Sequence, residues 1–157
     1  MLFGEVNPSG KLTATWPRSV GQEPLYYNYK NTGRPPRADG TITKYTTGYI
    51  DQTYLPLYPF GFGLSYTEFR YGELRLDKTE MAENGEITAS VEVANTGKYE
   101  GTEVAQLYIQ DKIGSVTRPV KELKRFTRVT LKPGEKKSVS FELPVSELAF
   151  WNIDMAK

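Results

Sequence analysis

The sequence predicts an antiparallel β-sandwich preceded by a long loop-rich segment. Three observations carry this. After Ser65, runs of alternating apolar and polar residues recur at short intervals, each closed by a Gly, Pro or Asn turn. No stretch shows the 3.6-residue period of an amphipathic helix. Before Ser65, tyrosines, prolines and glycines crowd a region where no period survives.

The first signal along the chain is a turn at Asn7-Pro8-Ser9-Gly10. Leu12, Ala14 and Trp16 then alternate with Lys11, Thr13 and Thr15, which predicts one short, half-buried strand. Pro17 ends it, because proline has no N–H to give a ladder. From there to Leu57, Pro24, Pro35, Pro36 and Pro56 interrupt the chain, with Gly21, Gly33, Gly40 and Gly48 between them. A loop of this length is uncommon inside one domain. Its many tyrosines need a surface to cover. Either they wrap over the β-domain that follows, or they pack on a larger body outside this chain.

Tyr58-Pro59-Phe60-Gly61-Phe62-Gly63-Leu64-Ser65-Tyr66-Thr67 is the corner into the β-domain. Its glycines let the backbone bend between bulky rings. Phe69, Tyr71, Leu74 and Leu76 mark a first strand with an irregularity near Gly72. Asn84-Gly85 turns the chain into Ile87, Ala89, Val91 and Val93, and Asn95-Thr96-Gly97 closes that strand. Apolar residues on both faces of the next run, around Val104 to Ile109, predict a strand covered on two sides. Leu123, Phe126, Val129 and Leu131 follow, then a type II turn at Lys132-Pro133-Gly134-Glu135. Val139, Phe141 and Leu143 complete the alternation, and Leu148, Phe150 and Trp151 begin another apolar segment. Five or six strands fall short of the seven usual in such sandwiches. Two domains are expected: residues 1–64, loop-rich, and residues 65–157, a sandwich short of its last strand.

Composition excludes several functions. Twenty Lys and Arg against 19 Asp and Glu leave a net charge of +1, which offers no footprint for nucleic acid or an anionic membrane. The basic run Lys121, Lys124, Arg125 and Arg128 reads as the solvated face of a strand. With no His and no Cys, neither a Ser-His-Asp triad nor a Cys/His metal site can be built, and no metal or cofactor is expected. No apolar run is long enough to span a bilayer as a helix. Met1-Leu2-Phe3-Gly4-Glu5 does not read as a signal peptide.

Several motifs converge on one resemblance. Gly10-Lys11-Leu12, Trp16-Pro17-Arg18-Ser19-Val20-Gly21-Gln22, Tyr26-Tyr27-Asn28 and Thr32-Gly33-Arg34-Pro35 resemble the end of the second domain of family 3 glycoside hydrolases. Tyr49-Ile50-Asp51 and the corner Tyr58–Thr67 resemble that family's linker into its C-terminal domain. Val93-Ala94-Asn95-Thr96-Gly97, Gly101–Tyr108 and Arg118–Leu123 are similar to strands of that domain. The resemblance implies an immunoglobulin/fibronectin type III-like sandwich at the end of a β-glucosidase-type enzyme, periplasmic or secreted in bacteria. It also implies that the family's Asp nucleophile and Glu acid/base lie upstream of Met1, so neither role passes to a residue here.

A retaining glycosidase needs two carboxylates about 5–5.5 Å apart. Asp39, Asp51 and Glu68 are the only pairing worth considering, and they read as turn and surface carboxylates. This chain alone is therefore expected to be inactive, an accessory module whose partners are the parent's catalytic domains. A carbohydrate-binding module holding oligosaccharide on exposed Tyr and Trp is the alternative, and a protein-interaction sandwich a third. The candidate sugar or interdomain contacts are Trp16, Tyr26, Tyr27, Asn28, Arg34, Tyr49 and Tyr54.

Overall fold

The computed structural model describes residues 1–156. The described residues are mainly β and antiparallel, and among them are six strands and two single-turn 3₁₀ helices. It divides into two units. One comprises residues 1–10, 63–108 and from Leu123 onward; the other comprises Lys11–Phe62 and Ile109–Glu122.

The first unit holds the sandwich. Strand β3 (Glu86–Asn95) pairs along its length with β6 (Lys136–Pro144), from Glu86 opposite Pro144 to Ala94 opposite Lys136. Its other edge is shared by β1 (Phe69–Tyr71) and β2 (Arg75–Leu76). The expected first strand is thus split where irregularity was expected. Gly72 still donates to Glu92, 2.8 Å, but Glu73 and Leu74 leave the ladder before Arg75 rejoins it. The second sheet pairs β4 (Gly101–Ile109) with β5 (Glu122–Leu131).

Alternation in the sequence becomes a core between these sheets. Val93, Val139 and Phe141 come from one sheet, and Ala105, Val129 and Leu131 from the other. Phe69, Val91 and Leu107 pack on that cluster from partly buried positions. Strand β4 is covered on both faces, as its composition predicts: Gly101, Glu103 and Ala105 are buried, and Thr102, Val104 and Gln106 are half-buried. Phe126 differs from expectation. It is 67% exposed, because the inward set of β5 is Val129 and Leu131, and Phe126 lies out of phase with it by an odd number of residues.

Two polar devices fix the sandwich ends. Asn95 is 1% exposed and fully satisfied: its Nδ2 donates to the Tyr99 and Leu131 carbonyls, 2.7 and 2.9 Å. Its Oδ1 accepts from the Thr67 hydroxyl, 2.7 Å, and the Gly97 N–H, 3.1 Å. Only glycine fits at 97, since a Cβ there would overlap Thr67 Oγ1 and stand 2.6 Å from the Glu68 nitrogen. The turn Lys132–Glu135 closes with a 2.9 Å bond and places Gly134 at φ +77°, as a type II turn requires. Asn7 anchors the chain's beginning to this unit, donating to the Glu100 carbonyl and accepting from the Ser65 hydroxyl and the Tyr66 N–H.

In the second unit the expected strand at Lys11–Trp16 shrinks to a single bridge between Trp16 and Tyr58. Leu12 also exchanges bonds with Gly61 and Phe62, each 2.8 Å. The middle of the pairing is lost where the chain bends at Thr13 and Ala14. Pro17 and Pro59, which lack N–H groups, prevent its extension past the bridge. Leu148, Phe150 and Trp151 form no strand; the 3₁₀ turn Val145–Glu147 leads into a turn in which Asn152 accepts from Asp154 and Ala156.

Candidate functional site

The site builds up within the second unit. Its backbone has almost no ladder, so side chains supply the missing partners. Gln22 is the centre, 1% exposed. Its Nε2 donates to the Thr53 and Leu55 carbonyls, 3.1 and 3.4 Å, and its Oε1 accepts from the Arg18 N–H, 2.6 Å. Its own carbonyl accepts from the Tyr49 hydroxyl, 3.3 Å. Gly40, at φ +73°, allows a close approach: a Cβ there would overlap Thr53 Oγ1 and lie 2.9 Å from Leu55 Cγ.

Around this frame the rings pair. Tyr27 stacks on Phe60 with centroids 4.2 Å apart. Tyr54 lies between Tyr29, edge-on at 5.9 Å, and Tyr49, stacked at 6.2 Å. Trp16 meets Tyr58 edge-on, and Tyr58 lies 4.9 Å from Phe62. The alternation Tyr58-Pro59-Phe60-Gly61-Phe62 sends Phe60 to one ring group and Tyr58 and Phe62 to another, with Gly61 at φ +80° making the bend.

Between the first two groups lies a cleft of about 360 Å³. Tyr26, Tyr27, Tyr29, Tyr54 and Phe60 line it, with Thr15 and Arg37. Val120 and Lys121 reach it from the distant loop 109–122, held in place where Val120 donates to the Tyr29 carbonyl, 2.9 Å, and Lys30 bridges Pro119. The Arg37 charge is answered by Asp39, 3.3 Å away. Burial pushes the Tyr29 and Tyr54 hydroxyls above their ordinary pKa, so both stay protonated donors across the physiological range. The Thr15 hydroxyl is buried and has no hydrogen-bond partner.

Of the seven sequence candidates, the fold therefore brings Tyr26, Tyr27 and Tyr54 to one cleft, with Tyr49 behind Tyr54. Trp16 is 51% exposed and stands with Tyr58 instead. Asn28 is exposed and outside the lining, and Arg34 is exposed with its guanidinium 5.7 Å from the Tyr45 ring. Sequence reasoning missed Thr15, Tyr29, Arg37 and Phe60 as a group. Tyr29 was signalled by the run Tyr26-Tyr27-Asn28-Tyr29, whereas nothing local announces that Val120 and Lys121 come alongside.

The carboxylates behave as turn and surface groups. Asp39, Asp51 and Glu68 are all exposed. Thr41 caps Asp39 with its hydroxyl, 2.7 Å, and its N–H, 2.9 Å, which together with Arg37 holds the carboxyl far below its ordinary range. Among the described residues no group of three His, Cys, Asp or Glu side chains could hold a metal ion. Among them, too, no helix is long and apolar enough to cross a membrane.

Comparison with known proteins gives this arrangement its context. Residues 1–66 match the glycosyl hydrolase family 3 C-terminal domain, and residues 103–157 match a fibronectin type III-like domain. A periplasmic β-glucosidase from Salmonella typhimurium is 54% identical over 155 residues. The chain carries the C-terminal portion of a family 3 glycoside hydrolase. That Salmonella alignment uses 99% of this chain but 20% of the relative. A β-xylosidase from Formosa agariphila is 51% identical over 157 residues, which is the whole chain and 21% of the relative. The family 3 portion described here thus spans about a fifth of the length of these curated relatives.

Among solved structures, the β-glucosidase of Listeria innocua in complex with isofagomine superposes with a TM-score of 0.91 at 41% identity, over 99% of this chain and 22% of that one. The β-D-glucoside glucohydrolase of Trichoderma reesei reaches 0.69 at 27% identity, over 98% and 23%. The fibronectin type III-like match begins at β4, yet the sandwich does not: β3 pairs along its length with β6, so residues ahead of the match complete the same fold.

Proposed function

We propose that this chain serves as the C-terminal accessory module of a β-glucosidase-type family 3 enzyme, bracing the domains that carry the chemistry and contributing no catalytic residue itself. One observation carries the reading: both family matches lie in order along a chain that aligns end to end with β-glucosidases and β-xylosidases yet fills a fifth of each. The parent would hydrolyse β-glycosidic bonds in carbohydrate catabolism. A periplasmic relative supports placing that parent outside the cytoplasm.

The acidic residues support the non-catalytic part. A glycosidase acid must be shielded from water to keep a proton near neutrality. Asp39, Asp51 and Glu68 stand in water, and Asp39 is held ionised. The full chain should therefore release no aryl alcohol above the blank from aryl β-glucosides or β-xylosides. Turnover by a homogeneous preparation, abolished by Asp39→Asn or Asp51→Asn, would overturn the reading. A family 3 β-glucosidase whose matching C-terminal portion is replaced by this chain should stay soluble and active. A folded but inactive chimera would count against the bracing role.

A further inference from the structure

We propose that Asn84 is a site of spontaneous covalent modification, at which the Gly85 nitrogen attacks the Asn84 side chain and converts it to isoaspartate and aspartate. Water is the only co-reactant. The Gly85 amide gives its proton to solvent base, and its nitrogen bonds to Asn84 Cγ. The Cγ–Nδ2 bond breaks, and the nitrogen leaves as ammonia with a proton from water. Water then opens the resulting five-membered succinimide. Attack at the former backbone carbonyl leaves the chain running through the side chain, which is isoaspartate. Attack at the former side-chain carbonyl gives aspartate.

Sequence and structure both single out this position. Asn7, Asn28, Asn31, Asn95 and Asn152 precede Pro, Tyr, Thr, Thr and Ile, and Asn84 alone precedes glycine. A glycine nitrogen has no adjacent Cβ to screen it. Asn84 is exposed, within the turn that Gly85 closes by donating to the Ala82 carbonyl, 2.9 Å. Among the described residues its side chain has no hydrogen-bond partner to hold the amide away from Gly85. Asn95, by contrast, is 1% exposed and bonded at both ends of its amide.

Asp39-Gly40 is the internal control, since an aspartate before glycine can close the same ring. There the fold guards the pair. Thr41 donates to Asp39 Oδ1 through its hydroxyl and its N–H, and Arg37 pairs with the other oxygen, so the carboxyl stays ionised and is a poor electrophile. At Asn84 none of this protection exists, and the product bears on the sandwich. The Gly85 carbonyl accepts from the Val145 N–H, 2.9 Å, beside the ladder end where Glu86 stands opposite Pro144. Isoaspartate lengthens the backbone just before that bond. Either product adds a negative charge next to Glu83 and Glu86 and takes the formal net charge from +1 to zero.

The inference is independent of the accessory role. The experiment incubates the full chain at neutral to mildly alkaline pH, folded and in urea, then digests it and locates modified residues by fragment mass. Asn84 should gain about 1 Da before any other asparagine and accept a methyl group from an isoaspartyl methyltransferase. Urea should speed the conversion by no more than about tenfold, the effect of freeing one exposed turn bond. Asn84→Gln should abolish the signal, because its ring is one atom larger and closes slowly. Isoaspartate at Asp39 should appear only in urea. Four results would overturn the proposal: a folded chain in which Asn84 keeps its mass or converts no faster than Asn28 or Asn31, acceleration in urea beyond tenfold, aspartate without isoaspartate, or isoaspartate at Asp39 in the folded chain.

Discussion

In the sandwich, nine consecutive residues of β3 stand opposite nine of β6. In residues 11–62 there is no strand at all, and pairing amounts to isolated bridges at Trp16 and Lys30 with the bonds that Leu12 exchanges with Gly61 and Phe62. Both regions face the same requirement, that buried backbone groups find partners. The sandwich answers it with backbone against backbone and then buries Val93, Leu131, Val139 and Phe141 between its sheets. The aromatic unit answers it with side chains. Gln22 alone takes up two carbonyls and one N–H, and ring pairs stand in for an apolar core. A ladder distributes its support over many equal bonds. A hub concentrates support on one residue, and the surface it leaves behind is irregular enough to contain a cleft.

The comparison can be broken by mutation, because Trp16 lies in one unit and Trp151 in the other. Trp151→Phe leaves Trp16 to report the aromatic unit, and Trp16→Phe leaves Trp151 to report the sandwich. The largest effect is expected from Leu131→Ala, which opens a cavity at a residue with no exposed surface; the loss should be about 2–5 kcal/mol in urea unfolding read by Trp151. Gln22→Ala comes next. It strands the Thr53 carbonyl and the Arg18 N–H, so roughly 1–3 kcal/mol should be lost from the transition read by Trp16. If Gln22→Ala leaves that transition unmoved, the hub description fails.

Gly134→Ala places a side chain at φ +77° on the sandwich turn and should cost about 1 kcal/mol, read by Trp151. Thr15→Val should raise the Trp16 transition by a few tenths of a kcal/mol at most, about the gain from removing an unsatisfied hydroxyl without changing shape. Destabilisation by this variant would mean the hydroxyl has a partner.

The smallest effect is a pH dependence. Thr41 and Arg37 lower the Asp39 carboxyl from its ordinary 3.8, Lys132 and Lys137 lower Glu135 from 4.5, and Arg125 lowers Glu147 from 4.5. A carboxyl lowered on folding stabilises the native state above its unfolded pKa and ceases to do so as pH falls through the folded one. Stability should thus decline below about pH 4.5, and Asp39→Asn should flatten the acid limb read by Trp16 while leaving that read by Trp151 unchanged. An identical acid limb in wild type and variant would refute the Asp39 contribution.

The sandwich was legible because a strand writes its burial into every second residue. Val139, Phe141 and Leu143 need no knowledge of their partners to declare a face. Turn chemistry did the same for Gly134 and for Asn95-Thr96-Gly97. Within the aromatic unit the alternation offered one short strand at Lys11–Trp16, of which a single bridge survives, and beyond it only many rings and no period. Three of the cleft's tyrosines, Tyr26, Tyr27 and Tyr54, were singled out as rings able to stack on a sugar or another domain, with nothing in their spacing to say that they share one cleft.

Residue type and spacing by themselves determined the β class, the turn positions and the absence of His and Cys chemistry, because those follow from local periodicity and composition. Only the tertiary structure decided that Phe126 faces water, that Lys11–Trp16 keeps one bridge, and that Thr15, Arg37, Phe60 and Val120 border one cleft. Those outcomes depend on which distant backbone groups meet. In an aperiodic segment, no rule of spacing encodes that meeting.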